Sequence, residues 1–155
     1  MRTLLFAVFC LSLPLLSQAQ SGSLSRVFIL GQQEQQYEQL TSGYSQTLLE
    51  ACQGDIETAF NRWLDMQKAM DAYAENIDFD LKGVKVWLHV FWSETGRIDH
   101  LGFLLRPDSR LINVSELKVF FAGFIEQYQL QVTSTRKFNH YTGATFPTVA
   151  ERAFD

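Results

Sequence analysis

Residues 84–92, Val-Lys-Val-Trp-Leu-His-Val-Phe-Trp, place valine, leucine or tryptophan at every even position. Successive side chains of a strand point to opposite faces, so this period of two predicts a strand with one fully buried face. Its β-branched and aromatic content favours the extended state. The odd positions hold Lys85, Trp87, His89 and Phe91, so the second face expects partial cover as well. Ser93-Glu94-Thr95-Gly96 reads as a turn with glycine at a positive φ, and 97–106 as the returning strand. In that return, Ile98 has one parity and Leu101, Phe103 and Leu105 the other. A regular strand cannot put all four on one face, which predicts a β-bulge at Asp99-His100.

The helix signals are equally local. Asn113-Val114-Ser115-Glu116 reads as a capping box, and the helix it opens carries Leu117, Phe120, Phe121, Phe124, Ile125 and Tyr128 on one side. Gly123 in mid-helix predicts a close approach to a strand. Asp55 caps a second helix, where Ile56, Ala59, Phe60, Trp63, Met66, Met70 and Tyr73 form an apolar stripe over 55–75. Core packing is the preferred reading of that stripe, a ligand groove the other. Residues 44–52 read as a short helix with Leu48 and Leu49 facing in. Downstream, 130–136 reads as a weak strand, 138–143 as loop, and 144–149 as a final strand placed at the sheet edge by Pro147. Upstream, 26–31 is either a short edge strand or a staple onto the core, and 32–40 a helical turn or a tether. The expected fold is α+β: a small antiparallel sheet with a β-β-α-β core and additional N-terminal helices packed on it. It forms one domain over 44–155, with a helical part at 44–75 and the β-β-α-β part at 83–149, after a polar leader at 20–43.

The first nineteen residues read as a secretory signal peptide: Arg2, an uncharged apolar run from Leu4 to Leu16, then Ser17-Gln18-Ala19 with cleavage after Ala19. The run is too short to span a bilayer, and Pro14 interrupts it. The expected product is periplasmic or extracellular, with no transmembrane segment. Cys10 would leave with the leader, so Cys52 would remain as a small buried hydrophobe without an internal disulfide partner. With 46% hydrophobic and 14% aromatic residues the 155-residue chain is globular, and a net charge of -4 argues against a nucleic-acid footprint.

No phosphate loop, Cys-x-x-Cys, His-Glu-x-x-His or Gly-x-Ser-x-Gly occurs, so neither a cofactor nor a catalytic residue is expected. The nearest approach to a metal site is His89, Asp99 and His100 on one hairpin, an incomplete ligand set. Glu75, Asp78 and Asp80 read as a solvated acidic surface. Arg97, Arg106 and Arg110 are expected to pair with Asp99, Asp108 or Glu116. Trp87 and Phe91 are a binding surface if their face is bare, and core if the 55–75 helix covers it; core is the preferred reading.

The stretch Gly83-Val84-Lys85-Val86-Trp87-Leu88-His89-Val90, with Glu94-Thr95-Gly96-Arg97-Ile98-Asp99-His100-Leu101-Gly102-Phe103, resembles the C-terminal domain of TonB-type energy transducers over about 83–149. That family joins an alternating valine-rich strand, a glycine turn, a returning strand, a helix and one more strand. The Tyr-Pro pair common at the start of that domain and a long proline-rich segment are absent here, where the chain has three prolines. The resemblance implies an envelope partner and does not extend to residues 44–75. The expected function is an exported, non-enzymatic protein-interaction module of the cell envelope. It binds an envelope or extracellular protein by strand addition or through the hairpin surface, with Trp87, Phe91, Glu94, Arg97, Thr145 and Phe146 as candidate contacts. The alternatives are a metal protein or small enzyme using His89, Asp99, His100 or His140, and a hydrophobic-ligand carrier using the aromatic face and the 55–75 helix.

Overall fold

A computed structural model describes residues 23–149. The signal-peptide reading at 1–19 and the chain end at 151–155 lie outside the described residues. Along the described chain the elements are β1 (Val27–Ile29), α1 (Glu34–Ser42), β2 (Gln46–Thr47), α2 (Leu48–Ala51), α3 (Ile56–Asn76), β3 (Lys85–Trp92), β4 (Ile98–Leu105), α4 (Val114–Gln127) and β5 (Phe138–Thr145). They form an α+β fold around a five-stranded sheet in the order β1-β4-β3-β5-β2.

The hairpin forms as its alternation predicts, and β3 lies at the centre, antiparallel to both β4 and β5. The bulge is present: Phe91 pairs with His100 and Trp92 with Ile98, so Asp99 is the extra residue. It returns Ile98 to the face of Leu101 and Phe103, and all three are buried. The sheet is mixed, since β1 runs parallel to β4 and β2 parallel to β5. Strands of three and two residues carry too few side chains for their direction to be read from alternation.

The even face of β3 packs against α3 and α4. Trp63 meets Trp92 edge to face, and Phe121 packs on Phe103. Both helices start as their caps predict: the Asp55 carboxylate accepts from the N–H groups of Glu57 and Thr58, the Asn113 side-chain oxygen from those of Ser115 and Glu116. Gly123 accommodates α3 rather than a strand, because a Cβ there would stand 2.2 Å from the Tyr73 hydroxyl. Met66 and Met70 are core, Cys52 is a buried free thiol, and Leu48 is buried while Leu49 turns outward.

Three further sequence expectations change. Residues 130–136 form a loop rather than a strand, preceded by an isolated bridge between Gln129 and Arg97 of the hairpin. β5 begins at Phe138, where a loop was expected, and ends at Thr145 before the cis Phe146–Pro147 bond. The odd face of β3 is covered by the N-terminal segment, not by α3: Phe28, Tyr44 and Phe91 form a second cluster, packed by Leu24, Leu30, Tyr37 and Leu40.

The hairpin tip is clamped by the loop after α4. Leu130 N–H donates to the Gly96 carbonyl, Ser134 N–H to that of Glu94, and the Gln129 amide to that of Thr95. Gly96 has φ +83°, and a Cβ on it would lie 2.2 Å from the Leu130 carbonyl oxygen. Gly96→Ala therefore combines left-handed strain with a backbone collision. It is expected to destabilise by about 2 kcal/mol or more, measured as a fall in denaturant midpoint at unchanged m-value.

Candidate functional site

β3 is paired along both edges, whereas β5 is paired fully only with β3. Its other neighbour, β2, covers Phe138 and Asn139 and no further. The Phe146 N–H donates to the Val84 carbonyl, which sets the phase of the β3–β5 ladder. By the antiparallel alternation, the N–H and C=O groups of Tyr141, Gly143 and Thr145 then point away from β3. Among the described residues nothing pairs with them. An unpaired edge of this kind is a template for another strand.

The two faces beside this edge differ. On the α3 side lies an open groove of about 480 Å³, lined by Leu49, Ile56, Phe60, Trp63, His140 and Thr142 among others; among the described residues no Asp, Glu, Lys or Arg lines it. Ile56 is 72% exposed and Phe60 39%. The first turns of the α3 stripe thus face this groove, and only the stripe from Trp63 onward is core. His140 sits under Trp63, ring centroids 4.8 Å apart.

On the opposite face Trp87 is 37% exposed and stacks on Tyr141, with the Arg106 guanidinium 5.5 Å from its ring centroid. Phe91, on the same face of β3, is fully buried beneath the N-terminal segment. The cover ends between the two aromatics, so Trp87 remains a surface candidate and Phe91 does not. Phe146, also a candidate contact, is 1% exposed and belongs to the core, because it still pairs with Val84 beyond the end of β5. Thr145 is exposed on the open edge. Glu94 is half-buried and Arg97 exposed at the clamped hairpin tip, beyond the end of β3 that pairs with Phe138 and at the opposite end of β5 from Thr145.

The histidines do not assemble as a ligand set. His89 lies opposite Gly102 and His100 opposite Phe91, so the two imidazoles do not face each other across the hairpin. Among the described residues no three His, Cys, Asp or Glu side chains group to hold a metal ion. His89 instead ties α1 to the sheet. The Asn139 amide nitrogen donates to the carbonyls of Tyr44 and Gln46, so its oxygen faces His89 Nε2 at 3.0 Å. Nε2 must then carry the proton, and Nδ1 accepts from the Tyr37 hydroxyl at 2.8 Å. The Asp99 carboxylate accepts from the Tyr44 hydroxyl at 2.8 Å and pairs with Lys137 at 3.4 Å. Of the arginines, Arg106 binds Asp108 as expected, but Arg110 binds Asp80.

No protein-family model, curated protein or solved structure matches this chain. No helix among the described residues is long and apolar enough to cross a membrane.

Burial lowers the pKa of His89, His100 and His140 below the ordinary 6.5. The folded protein then binds fewer protons than the unfolded chain. Stability should fall as pH drops through about 6.5 and level off below the folded-state values. Tyr37→Phe leaves His89 Nδ1 unpartnered and should cost about 1–2 kcal/mol. Thermal unfolding across pH 5 to 8 checks both; unchanged midpoints would contradict the buried neutral histidines.

Proposed function

We propose that the chain is an exported, non-enzymatic interaction module that takes up an extended segment of a partner protein as a further strand on β5. One observation carries this reading: among the described residues, nothing pairs with the outward backbone groups of Tyr141, Gly143 and Thr145, which lie between an apolar groove and the Trp87–Tyr141 stack. An added strand gains main-chain hydrogen bonds at such an edge and places alternate side chains on the two faces. The edge is also unguarded. Tyr141 to Thr145 contains no charge and no proline, the usual protections of an edge strand. The resemblance to TonB C-terminal domains and the signal-peptide-like leader point to an envelope or extracellular partner.

The hydrophobic-carrier reading draws on the same groove. Its open form and its continuity with the unpaired edge favour a peptide over an enclosed small molecule. Native mass spectrometry of the gently purified protein separates the two, since a carrier would retain a ligand.

The direct probe is a labelled Thr-Val-Thr-Val-Thr-Val-Thr peptide. Added in excess, it should slow amide exchange at Tyr141, Gly143 and Thr145, which exchange freely in its absence. Thr145→Pro deletes an outward N–H and spares the bonds to β3, so it should abolish this protection with little change in unfolding midpoint. Exchange at these amides that is unaffected by saturating peptide would refute strand addition.

A further inference from the structure

We infer that the strand taken up at this edge alternates aliphatic with acidic residues, the aliphatic ones entering the α3 groove and the acidic ones facing Arg106. This rests on the strand-addition reading above and specifies its partner.

The groove side fixes the first half of the pattern. Its wall holds Leu49, Ile56, Phe60 and Trp63 and, among the described residues, no charged side chain. A charged group placed there would lose water without gaining a counter-ion.

The other face fixes the second half. Arg106 follows β4, lies over the Trp87 ring, and so reaches across β3 to β5. Gly143 makes room for it: a Cβ there would be 3.4 Å from Trp87 Cζ3 and 3.8 Å from Arg106 Nη1. A strand added to β5 runs ~4.8 Å farther out, within reach of the guanidinium. Arg106 and Lys85 both pair with Asp108, at 3.2 and 2.9 Å. Two cations share one carboxylate, which leaves positive charge on this face although the whole chain carries a net -4. An acidic side chain on the incoming strand answers that charge.

The same geometry disfavours a second copy of this chain. β5 contains no acidic residue, and an antiparallel self-pairing centred on Gly143 would bring two Arg106 guanidiniums toward each other.

Three labelled heptapeptides test the inference by fluorescence anisotropy on the purified protein: Glu-Val, Thr-Val and Lys-Val alternations. The Glu-Val peptide should bind about threefold to fivefold more tightly than Thr-Val, and Lys-Val more weakly by a similar factor. The spread should collapse in about 0.5 M salt and in Arg106→Gln. Equal affinity for all three peptides overturns the acidic selection and leaves strand addition standing. Binding of none overturns both. A dimer in sedimentation velocity that Thr145→Pro dissociates assigns the edge to a second copy and also overturns the inference.

Discussion

The structure depends on the two-sided burial of β3. Each residue from Lys85 to Trp92 has a partner on β5, and all but Lys85 have one on β4. Because side chains alternate with a period of two, a one-residue slip would drive Lys85 and His89 into the α3–α4 core and expel Val86, Leu88 and Val90. Burying an unpaired ammonium there would cost far more than a bulge. The Asp99 bulge is where β4 reconciles two parities, and its displaced side chain is then put to use. Asp99 binds Tyr44 from the N-terminal segment and Lys137 at the entrance to β5. One irregular residue thus joins three separate stretches of chain.

The N-terminal segment is held differently. α1 buries none of its residues fully, and its N-cap, Gln33, sits at φ +58° without a side-chain cap bond. A nine-residue helix of that kind is marginal alone. Its hold on the sheet comes from Tyr37 and Leu40 packing on the Phe28–Phe91 cluster, and from the Tyr37–His89 hydrogen bond. The Arg26–Glu126 ion pair and the parallel pairing of β1 with β4 anchor its start. Gly102 matters here because a Cβ would come within 2.7 Å of the Phe28 ring.

What was legible in the sequence is what depends on near neighbours. The β3–β4 alternation, the parity break at Ile98, and the caps Asp55 and Asn113 are each decided within a few residues. The start of β5 is not legible locally, because Asn139, His140, Thr142 and Gly143 resemble a loop. They are stranded by β3, and Asn139 is polar because it must satisfy His89, Tyr44 and Gln46 together. Parity correctly placed Trp87 and Phe91 on one face, but no local pattern says that the cover stops between them. The α3 stripe likewise cannot distinguish apolar residues that meet a neighbour, such as Met66, from those that meet open space, such as Ile56.

That open space traces to a capping motif. β2 could continue along β5 only if Leu48 stayed extended. Instead the Thr47 hydroxyl accepts from the Glu50 N–H, and the Glu50 carboxylate accepts from the Thr47 N–H. This reciprocal box satisfies the first-turn donors of α2 and lifts the chain off the sheet after two residues. Hydrogen bonds to Thr47 hold the Glu50 carboxyl below its ordinary pKa, so the box is set at neutral pH. The chain then passes through α2 into α3, which returns above the β5 edge that β2 has left and lines it with Ile56, Phe60 and Trp63. The same cap that ends the pairing also builds the apolar wall beside the unpaired edge, so vacancy and groove arise together.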